Sequence, residues 1–392
     1  MKGKILVTDG RSLATLAIIR SLGEKGFEIH CGDDFKSNLS SYSRYVKKRI
    51  IYPTPNLQES EFINFIIDLA KTENYAMIIP VRDDTTLLLS KYRKEISKYT
   101  HLYLADYDCI QKFRDKGQTI KIAQNANVPV PDTFFPEDMN LEEIKSNLKY
   151  PVLIRARVSS GSRGIKYLKS QSEFDLAYQE IKDEYGEPII QEYISKSGYS
   201  TACLLLNDHQ EQIASFSYER VKEYPINGGP TVVGISSDDE LVKKYSLKLL
   251  KSIGWKGVAE VEYIIDKNGN PLLLEVNPRF WMPLNLAIKS GVDFPYLIYN
   301  LAMDENISPV NTYEIGLKYR WVFPNEILWL TQTSEKVQGF REFINFWDKK
   351  TCYGVISIKD PMALIGMIFQ SLSFLFNSEK RKIIFDRGWD LR

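Results

Sequence analysis

The sequence predicts an α/β protein that opens with a parallel sheet and continues into a mixed unit built from hairpins. Two observations carry this reading. Over residues 1–112, β-rich apolar runs alternate with stretches of helical periodicity, the pattern of a parallel sheet covered by helices. Farther along, two segments read as antiparallel hairpins: Pro151 to Leu168 around a Ser/Gly turn, and Gly257 to Arg279 around Asn268-Gly269. The 392 residues are enough for two or three domains. With 44% apolar and 26% charged residues the composition is that of an ordinary globular protein. A net charge of +1 gives no electrostatic case for nucleic acid or an anionic membrane as partner. The four cysteines, Cys31, Cys109, Cys203 and Cys352, fit no zinc or redox spacing, and three histidines make a His-based metal site a poor expectation. The start, MKGKILVTDG, reads as strand and turn and not as a signal peptide. No run approaches the roughly 18 apolar residues of a membrane span. A reducing cytoplasm is the expected compartment.

In chain order, residues 4–8 are a strand, Ser12 to Lys25 a helix and Phe27 to Cys31 a second strand, an opening that resembles half a Rossmann fold. It lacks G-x-G-x-x-G, so no dinucleotide is inferred. Ser37 to Arg44 reads as a polar surface loop, or as a substrate-facing one. A helix over Glu61 to Thr72, a strand over Ala76 to Val81, a helix over Thr85 to Ser97 and a strand over His101 to Ala105 complete the first domain. Arg82-Asp83-Asp84 follows a strand at its carboxyl end, where open α/β sheets bind ligands. A helix then begins near Asp115-Lys116 and gives way to the proline-rich NVPVPDTF.

Pro151 to Leu168 turns through Ser159, Ser160, Gly161, Ser162, Arg163 and Gly164. Such a loop offers open backbone N–H groups and hydroxyls to phosphate oxygens and can close as a lid; equally, it is a mobile hairpin tip. Pro188 to Ile194 reads as a buried strand. Two strands, Ser200 to Leu206 and Gln212 to Tyr218, lead to YERVKEYPINGGP, in which alternation puts Arg220 and Lys222 on one face and Gly228-Gly229 allows a close backbone approach. Asp238 to Ile253 is an amphipathic helix.

The Gly257 to Arg279 segment carries the chemistry. With Asn268-Gly269 as a two-residue turn, Glu262 faces Glu275 and Glu260 faces Asn277, all on one sheet face. Like charges directly opposed are unfavourable unless a cation sits among them, and hard oxygen donors suit Mg²⁺. Arg279, two residues past Asn277, suits a transferring phosphate. On this register Glu262→Gln or Glu275→Gln relieves a like-charge pair and is expected to raise stability without metal. The remainder holds a helix–turn–helix after Arg279, strands near Tyr313 to Val322, a helix over Val337 to Phe346 and an apolar run, Pro361 to Phe376, read as a buried helix in preference to a peripheral membrane contact.

Glu262, Glu275, Asn277 and Arg279, spelled LLLEVNPR at their end, resemble the metal-binding end of an ATP-grasp enzyme, in the carbamoyl phosphate synthetase and biotin carboxylase branch. The other motifs stand in that family's order. The resemblance implies a Rossmann-like domain at 1–112, an ATP-grasp domain at 113–305 (subdomains 113–190 and 191–305) and a C-terminal extension at 306–392. It implies that Lys116, Arg155 and the 159–164 loop hold the ATP phosphates, and that Gln191, Glu192, Tyr193 and Ile194 form the adenine hinge. Glu262, Glu275 and Asn277 would hold Mg²⁺ or Mn²⁺, and Arg220 and Arg279 would act on the reacting groups. Arg155 stands where relatives often have Lys, and the stretch after Ile194 has no acid for the ribose. The implied reaction is ATP-dependent activation of a small carboxylate as an acylphosphate, followed by attack of an amine, in a possible homodimer. A carboxyphosphate- or carbamate-forming enzyme, a non-catalytic ATP-binding protein and, less favoured, a Rossmann oxidoreductase are the alternatives.

Overall fold

The computed structural model describes residues 2–159, 163–226, 228–346 and 348–376. The first sheet contains β1 (Lys4–Val7), β2 (Glu28–Asp33), β3 (Val46–Ile51) and β4 (Met77–Ile79), all parallel, in the order β3-β2-β1-β4. Ser12 caps the helix Leu13–Glu24 by accepting from Ala14 N. Two strand assignments needed correction. β3, VKKRII, was missed because its charged middle hides the apolar signal; it is an edge strand, where lysines discourage pairing with another chain. The expected strand at His101 to Ala105 is one bridge, His101 to Met77. Beyond it, Ser90 Oγ donates to the Ala105 carbonyl at 2.7 Å and Arg93 takes the Leu104 carbonyl, so those groups are not free for a ladder.

The second sheet is antiparallel, with β5 (Thr133–Phe134), β6 (Val152–Arg155), β7 (Ile165–Leu168) and β8 (Ile189–Glu192) in the order β5-β8-β6-β7. The helix Phe174–Tyr185 packs against it through Phe174, Ala177, Tyr178 and Ile181. The third sheet has seven strands: β9 (Gly198–Leu206), β10 (Gln212–Glu223), β11 (Thr231–Ser237), β12 (Gly257–Ile265), β13 (Pro271–Asn277), β14 (Lys318–Arg320) and β15 (Thr351–Tyr353). Their order is β13-β12-β9-β10-β11-β14-β15. Alternation along β12 sends Ala259, Val261 and Tyr263 into the core beneath the helix Glu240–Lys251. Val258 joins a second core on the opposite face, shared with β1, the helix Leu13–Glu24 and the helices Leu284–Ser290 and Phe294–Ala302. Glu260 and Glu262 are on Val258's face, so the parallel sheet and the hairpin are packed as neighbours around the functional residues.

The hairpin tip also differs from expectation. Ile265 pairs with Pro271, and Asp266 N donates to Asn270 O, leaving a three-residue loop, Lys267 to Gly269, with Gly269 at φ 85°. That is a three-residue loop closed by a left-handed glycine, not the two-residue turn the Asn-Gly pair suggested. A register shift between Glu262 and Tyr263 leaves Leu274 as an extra residue on β13. The bulge cancels the longer loop, and Glu262 pairs with Glu275 and Glu260 with Asn277, the register the sequence predicts. A second bulge, at Val221 on β10, breaks the expected common face of Arg220 and Lys222. Lys222 turns away to Glu342 (2.8 Å), Glu326 (3.6 Å) and the Trp329 ring, and Glu223 takes its place beside Arg220.

The C-terminal segment returns to the beginning of the chain. The helix Met362–Leu375 packs on the short turn Ser40–Tyr42; Gln370 Oε1 accepts from Leu39 N at 2.9 Å, and Gly366 lies against the Leu39 backbone. Asp360 accepts from Arg20 Nε (2.9 Å), Ser43 Oγ (2.8 Å) and Arg44 N (2.8 Å). The 37–44 segment is therefore largely buried and is not a surface loop. The expectation of a buried 361–376 helix holds for one face only: Ala363, Gly366 and Met367 are buried, while Ile365, Ile368, Phe369 and Leu372 are 39–48% exposed. Among the described residues no helix is long and apolar enough to cross a membrane.

Candidate active site

The carboxyl end of the parallel sheet, the hairpin β12–β13, and strands β6, β8 and β10 surround one cavity of about 730 Å³. Lys116, Arg155, Ser159, Arg163, Gln191, Glu192, Tyr193, Ile194, Arg220, Glu262, Glu275, Asn277 and Arg279 all line it, together with Glu260. The fold thus brings together residues more than 160 positions apart. Ser160, Gly161 and Ser162 lie outside the described residues; Gly164 is described just beyond them, at φ 64° and packed on Ala156.

The acidic centre is tightly bonded. Tyr218 donates to Glu260 Oε1 at 2.8 Å, and Asn277 Nδ2 donates to Glu260 Oε2 (2.9 Å) and Glu262 Oε1 (3.1 Å). Arg220 pairs with Glu262 and reaches Glu223 at 3.4 Å. Burial and the neighbouring Glu262 push the Glu260 carboxyl up to about 8, against the pull of Arg279. Burial likewise raises Glu262, with Arg220 opposing and Glu275 adding to the rise. Carboxylates held this far from water and this close together gain from a cation. Among the described residues no three acidic, histidine or cysteine groups close on one point as a complete metal cage. Glu262, Glu275 and Asn277 offer the hard oxygen donors that Mg²⁺ takes beside waters and phosphate oxygens.

Basic groups flank this centre. Lys116 is 8% exposed; its Nζ donates to Ser159 O at 2.9 Å and stands 3.8 Å from Glu275. Its position follows from its helix, whose N-cap Asp115 accepts from Gln118 N while also holding Arg157 Nε at 2.9 Å. Desolvation lowers the Lys116 pKa, with Glu275 opposing. Arg155, 4% exposed, donates to Gln191 Oε1 at 2.6 Å, and its Nε has no partner. The Arg220 Nε is likewise buried and unpaired. These two buried guanidinium N–H groups leave donors available to an anion in the cavity. Glu192 accepts from Asp132 N through its Oε1 at 2.9 Å and donates its own N–H to Asp132 O at 2.9 Å, so both its side chain and its backbone N–H are held by Asp132. The Tyr224–Thr231 turn closes over Arg220, whose Nη1 reaches Gly229 O at 3.4 Å. A Cβ at Gly229 would stand 2.0 Å from the Tyr224 backbone, so only glycine fits there.

Several cavity residues were not singled out from the sequence. Lys196 and Tyr199 lie in the stretch where an acid was sought and not found; Lys196 Nζ donates to Glu223 (2.6 Å) and Tyr199 OH (2.9 Å). Asp83 binds Arg279 Nε at 3.2 Å, while Arg279 Nη2 donates to Asn277 Oδ1 at 3.0 Å. Burial would raise the Asp83 pKa, but Arg279 holds it below the usual range. The Arg82-Asp83-Asp84 signal had marked this strand end, but a partner 196 positions away is not written in a local pattern.

The ATP-grasp domain family matches residues 113–283. Among curated proteins, pyruvate carboxylase of Aspergillus terreus is 24% identical over 201 residues, 47% of this chain and 17% of that protein. D-alanine–D-alanine ligase of Pelotomaculum thermopropionicum is 24% identical over 211 residues, 48% of this chain and 66% of that protein. The chain thus spans only a small part of the carboxylase and about two thirds of the ligase. Among solved structures, biotin carboxylase from Campylobacter jejuni superposes with a TM-score of 0.66 at 18% identity, over 81% of this chain and 74% of that one. N5-carboxyaminoimidazole ribonucleotide synthetase from Thermotoga maritima gives 0.58 at 14% identity, over 81% and 79%. Family match, motif order and architecture agree: this chain carries an ATP-grasp domain, set behind a parallel sheet as in the biotin carboxylase fold.

Proposed function

We propose that the protein is an ATP- and Mg²⁺-dependent ligase that activates a small carboxylate as an acylphosphate and joins it to an amine, releasing ADP and phosphate. The observation that carries this is the hairpin register: Glu262 opposite Glu275 and Glu260 opposite Asn277, with Arg220 and Arg279 on either side. A nucleotide-binding scaffold gains nothing from forcing buried carboxylates together, whereas an enzyme that recruits a cation with its substrate does.

Each residue then has a physical role. Lys116, Arg155 and the 159–164 loop bind the phosphate chain, with the unpaired Arg155 Nε and the Ser159-bound Lys116 ammonium as ready donors. By the family resemblance Gln191 to Ile194 would form the adenine hinge, although the Glu192 and Tyr193 N–H groups already donate to Asp132 O (2.9 Å) and Pro151 O (3.3 Å). Glu262, Glu275 and Asn277 would hold Mg²⁺ or Mn²⁺, which when bound offsets charge on the β- and γ-phosphates. Arg220 and Arg279 steady the carboxylate and the transferring group, and no side chain needs to act as nucleophile. By the family resemblance the loop between Ser159 and Gly164 would exclude water from an acylphosphate. A homologous fold, the biotin carboxylase domain of 2-oxoglutarate carboxylase from Hydrogenobacter thermophilus, was solved as a dimer with MgADP and bicarbonate. Bicarbonate is therefore one carboxylate to test, and a homodimer one assembly. Four cysteines with no disulfide among the described residues suit a reducing cytoplasm.

The test is ADP release across a panel of carboxylates, bicarbonate included, crossed with amines. Release that needs both substrates and a divalent cation supports the ligase; metal-dependent nucleotide binding with no release under any pair overturns it.

A further inference from the structure

The cavity has a wall that the nucleotide reading leaves unused. Asn56, Arg82, Asp83, Asp84 and Arg114 line it from the carboxyl end of the parallel sheet. Most of the cavity's cations have close partners: Lys116 has the Ser159 carbonyl, Arg155 has Gln191, Lys196 has Glu223, Arg220 has Glu262, and Arg279 has Asp83 and Asn277. Arg82 differs. It is an exposed residue whose guanidinium makes no ion pair or hydrogen bond among the described residues, with Asp9, Asp33 and Asp84 as longer-range charged neighbours. Asp84, two positions on, has only Arg114 at 3.7 Å, beyond hydrogen-bond length, so its oxygens can still accept. The two opposite charges face one cavity without pairing with each other.

Their backbone is rigid. Arg82 N and Val81 N donate to Asp9 Oδ2 at 2.9 and 3.2 Å, and Thr85 Oγ1 donates to the same oxygen at 2.6 Å. Asp9 is itself held at φ 62°. A fixed mount carrying an unpaired guanidinium and an under-bonded carboxylate is a preorganised receptor for a zwitterion. Asp83, between them, binds Arg279, so this wall adjoins the proposed reaction centre.

We propose that the amine substrate is an α-amino acid, its carboxylate held by Arg82 and its amino group beside Asp84. This rests on the ligase reading and narrows its substrate class. A free carboxylate on Arg82 keeps that end of the substrate away from the phosphoryl centre and presents the nitrogen toward it.

The experiment measures ADP release by the full-length protein with α-amino acids, with the same amines lacking the carboxylate, and with dicarboxylates lacking the amine, each beside the carboxylate panel. MgADP affinity is measured by calorimetry on the same samples. An α-amino acid should stimulate release with a KM on the order of tenfold or more below that of its decarboxylated amine. Arg82→Gln should raise that KM by a similar factor and erase the preference, Arg82→Lys should restore part of it, and Asp84→Asn should weaken amino acids but not dicarboxylates. MgADP affinity should stay within about twofold throughout. Equal use of decarboxylated amines, an unchanged KM in Arg82→Gln, or a response to dicarboxylates alone overturns the proposal while leaving the ligase reading intact. Wild-type protein that binds no MgADP removes the ligase reading and this inference with it.

Discussion

Replacing one or the other of two facing glutamates should have the same effect on turnover and different effects on stability. Opposed charges alone would make both Glu262→Gln and Glu275→Gln stabilising without metal. The surroundings separate them. Glu262 is the direct partner of Arg220, a guanidinium whose side chain is only 7% exposed, and Glu223 at 3.4 Å is the remaining anion beside it. Breaking a buried pair costs about 3–5 kcal/mol when nothing replaces the lost partner. With Glu223 retained and the Glu260 and Glu275 repulsions relieved, about 2–3 kcal/mol is the expected loss for Glu262→Gln. At about 2 cal/mol/K per residue over 392 residues, that lowers Tm by about 3–4 °C. Glu275 is 33% exposed, and its ion pair is 3.8 Å long, so Glu275→Gln should change Tm by under about 1 °C. Both should lower kcat by about a hundredfold or more, since each removes a group offsetting charge in the reaction. Differential scanning fluorimetry with EDTA and steady-state ADP release test this. Equal Tm shifts would refute the assignment of Arg220 to Glu262, and full turnover in Glu275→Gln would refute its role beside the metal.

The other expectations are narrower. MgADP should bind far more tightly than ADP in EDTA, measured by calorimetry; equal affinities would exclude a bridging cation. Deleting Leu274 removes the bulge but leaves Tyr263 opposite Leu273, Glu262 opposite Glu275 and Glu260 opposite Asn277, so metal-dependent nucleotide binding measured by calorimetry should persist, and its loss would refute the register argument. Glu326→Gln strips a partner from both Arg320 (3.0 Å) and Lys222 (3.6 Å) and should cost about 3 kcal/mol, visible as faster hydrogen exchange over 322–344. The Glu260 carboxyl lies near 8 in the fold against 4.5 unfolded. Its contribution is fully present below about pH 4.5 and is lost as pH rises through 8, at up to about 1.4 kcal/mol per pH unit in metal-free protein. Glu260→Gln should flatten that slope in denaturant titrations at several pH values.

Much of the site could be read from the sequence because strand alternation and hairpin pairing are local rules, and Glu260, Glu262, Glu275 and Asn277 lie within one hairpin. The register came out right although the turn did not: Leu274 supplied the residue the longer loop consumed, and bulges leave no local mark in a β-rich stretch. The Val221 bulge worked the other way and separated Lys222 from Arg220. β3 was hidden by its lysines, and the false strand at His101 to Ala105 failed because Ser90 and Arg93 claimed its carbonyls. The link from Arg279 to Asp83 and the burial of the 37–44 turn depend on tertiary contacts that no window of residues contains.

The return of the C-terminal segment to the first sheet has a consequence for the newly made chain. Asp360, which ties down Arg20, Ser43 and Arg44, is 317 residues downstream of Ser43. At about 5–20 residues per second, a ribosome needs roughly 15 to 60 s to cover that distance. Until then Leu39, Leu13 and Leu16 lack Ala363 and Met367, their partners in the core. The first sheet is thus synthesised well before the residues that cover it, so a product shortened ahead of Asp360 would leave this apolar seam open to chaperones and proteases.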